Sequence, residues 1–181
     1  MAVEKKKSAR SMAKIVSIYM DTEEIQGKKP VLLFTASQID EVLAEAKVQA
    51  LPFVSEYFLG LCAWREQVLP IIALDRFFRL SSQGKDNEGR YVVVRAVDTR
   101  STGNSSQGDA GQKRILRCVL KVPDQIMSGE PSAQYEAIHP EQAGLPALFV
   151  RGLFLGETEL FILPDLVNII HSNSLHNQVK K

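Results

Sequence analysis

The segment LGLCAWREQVLPIIALDRFF, residues 59–78, constrains the chain more than any other. Two apolar runs, 59–64 and 68–74, flank the polar trio Arg65, Glu66 and Gln67, which is the pattern of a buried β-hairpin with a wet tip. Helix is disfavoured because Pro70 stands inside the second run, where a strand accepts it only at an edge or a bulge. A hairpin that is apolar on both faces cannot stand alone in water. The rest of the chain must wrap it, and whatever stays unwrapped is a contact surface.

Upstream, residues 15–20 (IVSIYM) and 31–36 (VLLFTA) read as strands separated by the turn residues Gly27 and Pro30. Ser37 stands three residues before Asp40, and Ile39, Val42, Leu43 and Ala46 share one helical face, which predicts a helix of about two or three turns from Ser37. Asp40, Glu41 and Glu45 are then its solvated face rather than a catalytic acid and base. Residues 47–51 read as a strand stopped by Pro52.

Downstream, residues 74–80 predict a helical turn that presents Phe77, Phe78 and Leu80 to the core, and the polar segment 81–90 marks a subdomain boundary. The strand at 91–97 pairs most simply with 114–122, across a long Gly/Ser-rich loop at 99–113. That loop contains GDAGQK, but Gln112 stands directly after the second glycine, where a phosphate-binding loop needs lysine, and Lys113 and Arg114 follow in place of Ser or Thr. Residues 123–146 run extended, with a helical turn near Pro140, and 149–170 read as a second hairpin followed by a short amphipathic helix. Residues 1–12 and 171–181 are expected to be polar tails around a domain at 13–170.

Composition excludes several classes. In 181 residues, 22 Lys and Arg balance 21 Asp and Glu, so no overall field favours nucleic acid or an anionic membrane. Cys62 and Cys118 lie inside apolar runs and are read as reduced core residues. No apolar segment follows the basic start, and no run reaches about 18 apolar residues, so a cytoplasmic protein without a membrane span is expected. His139, His171 and His176 share no metal-ligand spacing, and no nucleophile motif is present. No catalytic residue, metal or cofactor is expected, and the chain does not read as an enzyme.

Gly60 laid on Gly152 brings the two hairpins into step without a gap: Leu61 on Leu153, Val68 on Leu160, Leu69 on Phe161, Leu74 on Leu166. The reading is a mainly β protein of two similar small barrels with a pseudo-twofold and a groove between them. The first barrel is expected at about 31–90 and the second at about 91–160, with the N-terminal strand open to sharing.

These residues resemble the CheW-like domain, the coupling module of bacterial chemotaxis. The family's first-hairpin signature is a glycine, a few apolar residues, Arg-Gly, and an apolar-Pro-apolar-Asp-Leu stretch. It is matched by Gly60, Arg65, Val68, Leu69, Pro70, Ile71, Ile72 and Leu74, while SQIDEVL and FVRGLFLG match the lead-in and the second hairpin. Glu66 stands where the family has glycine, and Ala73 where it has aspartate, which marks a divergent member.

The resemblance implies two five-stranded barrels of the Src-homology-3 type with a few short helices. It implies a non-catalytic adaptor whose partners are a histidine kinase regulatory domain and the cytoplasmic tip of a methyl-accepting receptor. The alternative is the same kind of domain serving a pilus or other non-flagellar system, or scaffolding another signalling protein. Ile39, Gly60 and Arg65 occupy positions associated with coupling in the family, and Trp64 and Glu66 join them as partner-binding candidates. Each has a structural reading beside it: Ile39 and Trp64 as core, Gly60 as a bulge glycine, Arg65 as an exposed charge.

Overall fold

The computed structural model describes residues 14–80, 89–100, 113–123, 125–129 and 135–176. The expected tail at 1–12 and most of the 81–90 and 99–113 connections lie outside the described residues.

The predicted hairpin forms from β4 (Phe58–Trp64) and β5 (Gln67–Ala73), and Arg65 and Glu66 make the turn. Three further strands complete its sheet: β3 (Ile39–Leu43), β6 (Arg90–Asp98) and β7 (Arg114–Val122), in the order β3-β6-β7-β5-β4. The other sheet holds β1 (Ile15–Tyr19), β2 (Lys29–Thr35), β8 (Ile126–Gly129), β9 (Glu136–Ile138), β10 (Val150–Leu155) and β11 (Glu159–Pro164), in the order β8-β1-β2-β11-β10-β9. Pro70 is tolerated because the parallel ladder between β5 and β7 starts only at Ile71, so no bond to β7 is lost at the proline.

The internal repeat is carried by the pairing itself. Phe58 pairs with Ile72 and Gly60 with Ile71 across a bulge; at the same offset, Val150 pairs with Pro164 and Gly152 with Leu163 across another. In each sheet the second hairpin strand lies parallel to a strand of an antiparallel pair, β7 with β6 or β2 with β1. The chain that leaves each sheet's edge then crosses to the far edge. After β3, Gln49 bridges Leu61 of β4; after β8, Ile138 of β9 pairs with Leu153 of β10. Each half is thus wrapped into a small barrel of bent strands whose ends are joined by that crossing. The sheets do not part near residue 90, where the barrel boundary was expected, because β6 and β7 belong with β3, β4 and β5.

Period-two alternation sorts the side chains into three apolar clusters. Leu32 and Phe34 of β2, Val92 and Val94 of β6 and Ile162 of β11 meet in one core between the sheets. Their alternating neighbours fill the barrels: Val31, Leu33 and Phe161 in one; Trp64, Leu69, Ile71, Val93 and Val119 in the other. Strands buried on both faces explain why these runs read as continuously apolar. The seam between the halves, expected as a groove, is therefore filled over most of its length by the chain's own side chains. Cys62 and Cys118 are buried and free, and burial pushes the Cys118 thiol up to about 12.

Two local expectations fail. The segment from Ser37 is not a helix of several turns. A single 3-10 turn, Ala36–Gln38, is closed by the Gln38 side chain accepting from the Thr35 N–H at 2.9 Å, and the chain then extends as β3. Val42 and Leu43 pair with Val92 and Tyr91, so tertiary pairing overrides the helical spacing. Residues 47–51 form no strand beyond the single bridge at Gln49. Elsewhere α1 (Leu74–Phe77) and a 3-10 turn at Pro140–Ala143 form where expected, and α2 (Leu166–His176) runs past the expected start of the tail at residue 171.

Asp98, at the end of β6, is the buried charge among the described residues and ties α2 to the other sheet. Its carboxylate accepts from the Arg100 N–H at 2.9 Å and from Arg100 Nε at 3.0 Å, and His171 Nε2 of α2 lies 2.7 Å away. The Arg100 side chain, then its backbone N–H and His171, hold Asp98 well below the usual carboxylate range. In the unfolded chain the same carboxyl takes up its proton near pH 4. The stabilisation is present above that pH and is lost as the pH falls further. The urea midpoint of the wild type is expected to drop more steeply from pH 5 to pH 3 than that of Asp98→Asn; parallel curves would exclude this role.

Candidate protein-docking site

Two surface features stand out. The first is the rim of the barrel formed by β3 to β7. Arg95 and Arg117 are cross-strand partners on β6 and β7, an arrangement that like charges make unfavourable unless an anion is shared between them. Asp40 of β3 is that anion, with Arg117 Nε 2.7 Å from Oδ2 and Arg95 Nε 3.4 Å from Oδ1. The next residue, Glu41, organises the hairpin tip. Its Oε2 accepts from Trp64 Nε1 at 2.9 Å and lies 3.3 Å from Arg65 Nη2, while the Arg65 guanidinium stacks 4.4 Å above the Trp64 ring.

Arg65 carries a positive φ of 51° at the first position of the two-residue turn, a conformation that favours glycine. The stack and the ion pair hold this strained residue in place, so a cation is displayed on a fixed platform. Arg65 remains 68% exposed, and Glu66 beside it is also exposed.

The expected binding residues therefore separate. Trp64, Arg65 and Glu66 come together at the tip, with Trp64 buried against Leu69 and Ile71 beneath its polar edge. Ile39 packs from the other face of β3 against the core between the sheets. Gly60 is buried under the backbone of Gln49 and Ala50. Asp40 and Glu41, expected on a solvated helix face, are the anions of the rim. Two arginines interrupting the doubly buried strands YVVVRAV and RILRCVLKV are the signal in the sequence that such an anion was needed.

The second feature is a cavity of about 1050 Å³ at the seam between the halves. Tyr57, Arg76 and Phe77 line it from beside the five-stranded sheet, and Leu145, Pro146 and Phe149 from beside the six-stranded one. Phe77 bridges the halves edge-on, with ring centroids 4.9 Å from Tyr57 and 4.8 Å from Phe149. Its lining is mainly apolar, and charged groups stand around it. Among the described residues no group of three or more His, Cys, Asp or Glu side chains is placed to hold a metal, and no helix is long and apolar enough to cross a membrane.

Comparison with known proteins agrees with this architecture. The fold is similar to that of the scaffolding protein TtCheW from Thermoanaerobacter tengcongensis, with a TM-score of 0.56 and 19% identity over 86% of this chain and 90% of that one. No curated protein sequence matches. The family model for the CheW-like domain matches residues 24–173, which takes in every strand but β1, together with the rim and the residues that line the cavity, and by that match the chain belongs to the CheW-like domain family.

Proposed function

We propose that the protein is a non-catalytic adaptor of a chemosensory complex in the cytoplasm, held at membrane-associated receptor arrays through its partners. It joins the regulatory domain of a histidine kinase to the cytoplasmic tip of a methyl-accepting receptor. The observation that carries this reading is a pair of separate surface features on one fold: an apolar cavity at the seam and a charged tip on the barrel rim. The cavity suits the apolar stripe of a helical hairpin tip. The rim suits a carboxylate-bearing surface, with Arg65 presented above Trp64. Membership of the family and the fold shared with a scaffolding protein support the same assignment.

Titration of the protein with the kinase regulatory domain tests the reading, and no binding at tens of micromolar to either kinase domain or receptor tip would remove it. Arg65→Gly sharpens the test, because glycine relieves the positive φ while deleting the cation. Its stability is expected to hold or rise by up to about 1 kcal/mol, while kinase affinity falls about tenfold, within the range of an exposed interface arginine. Unchanged affinity would remove Arg65 from the interface.

Glu66 and Ala73 favour the divergent reading, in which the partners belong to a pilus or other non-flagellar system. Parallel titrations with the kinase domains of both kinds of system distinguish the two.

A further inference from the structure

Five of the ten large apolar side chains exposed among the described residues fall within residues 42–54: Val42, Val48, Leu51, Phe53 and Val54. Phe53 is the extreme case, at 96% exposure and with a φ of 59°. A left-handed backbone, which favours glycine or asparagine, opposes the folded state, and a ring left in water contributes nothing against it. Phe53 belongs to none of the three apolar clusters, so no packing within the described chain offsets that cost.

The loop that carries the ring is tied down at both of its ends. Gln49 exchanges two hydrogen bonds with Leu61 on one side, Phe58 N–H bonds to Ser55 O at 2.9 Å on the other, and Pro52 fixes the backbone immediately before the ring. A loop pinned at both ends gives up less backbone freedom on binding than a free segment of the same length.

The loop runs directly into the cavity. Glu56 and Tyr57 are among its lining residues, so the Phe53 Cα lies within about 11 Å of that of Glu56. The cavity volume of about 1050 Å³ is close to that of roughly two turns of an α-helix about 11 Å across. A longer helix must overhang the cavity by further turns of about 5.4 Å each.

We infer that the 51–54 segment extends the docking surface of the cavity, and that Phe53 anchors the apolar stripe of an amphipathic helix longer than the cavity itself. This rests on the reading of the cavity as the site of the receptor tip. Phe53 then contributes affinity that the cavity lining alone does not supply.

The test uses the full chain and a soluble, antiparallel coiled-coil fragment of the receptor tip, titrated by calorimetry. Phe53→Asn suits the left-handed backbone, so its melting temperature is expected to equal or exceed that of the wild type, while its affinity for the fragment falls about tenfold. Ile115→Ser, at an exposed apolar residue elsewhere, is expected to leave affinity unchanged. Equal binding by wild type and Phe53→Asn, or equal weakening by Ile115→Ser, overturns the inference but leaves the cavity reading standing. A wild type that does not bind the fragment overturns both. Sedimentation of the free protein covers the remaining occupant: a wild-type dimer abolished by Phe53→Asn, with unchanged tip binding, assigns the loop to self-association and overturns the inference.

Discussion

Gly60→Ala is expected to destabilise the protein by about 3 kcal/mol or more, lowering the urea midpoint severely or preventing folding. Gly60 holds a φ of 139°, where a side chain is strained whatever the space around it. Space is lacking as well: a Cβ there would stand 2.3 Å from the Gln49 carbonyl oxygen and 2.9 Å from its carbon. Those atoms are backbone, and the same carbonyl accepts from the Leu61 N–H at 2.9 Å. Relieving the clash therefore breaks the bridge that carries the chain across the edge of the barrel. Gly27 is the control, with a φ of 73° and nothing within 4 Å of a built Cβ, so Gly27→Ala should cost only about 1 kcal/mol. Equal losses for the two variants would refute the steric account. Any loss of partner binding in Gly60→Ala is then to be read through its unfolding.

Trp64→Ala ranks second, with an expected loss of about 3–5 kcal/mol. The ring is 6% exposed and packs in the barrel interior with Leu69, Ile71, Val93 and Val119, so truncation leaves a cavity against β5, β6 and β7, each of which is paired on both sides. It also removes the platform under Arg65 and the N–H that Glu41 accepts. Trp64→Phe separates these roles: it keeps most of the apolar volume and deletes the hydrogen bond, at an expected cost of about 1 kcal/mol. Thermal unfolding of both variants gives the comparison. A Trp64→Ala loss no larger than that of Trp64→Phe would contradict the core role of the ring.

The sequence made the hairpins, their repeat and the β6/β7 pair legible because continuous apolar runs broken by charged tips admit few other structures. Pro70 removed the helical option for β5, and the offset from Gly60 to Gly152 anticipated two bulges in matching register. The reading failed where local spacing and tertiary pairing disagree. Ile39, Val42 and Leu43 fit a helical face, yet β3 is drawn to the edge of β6, where Asp40 meets two arginines far along the chain. That partnership depends on Arg95 and Arg117 lying side by side, which no local pattern around Asp40 records. The candidate site was legible in part for the same reason. Trp64 and Arg65 are adjacent in sequence, whereas Glu41 reaches them only through the fold.

The interleaving of the two sheets also bears on how the chain is built during synthesis. All five strands from β3 to β7 emerge consecutively, so that half can close while translation continues. β2 must wait for β11, because Lys29 pairs with Glu159 more than a hundred residues later. Until the last hairpin leaves the ribosome, β2 presents an unpaired border that includes Val31 and Leu32, and this nascent interval is when the protein is most open to aggregation or to capture by a chaperone.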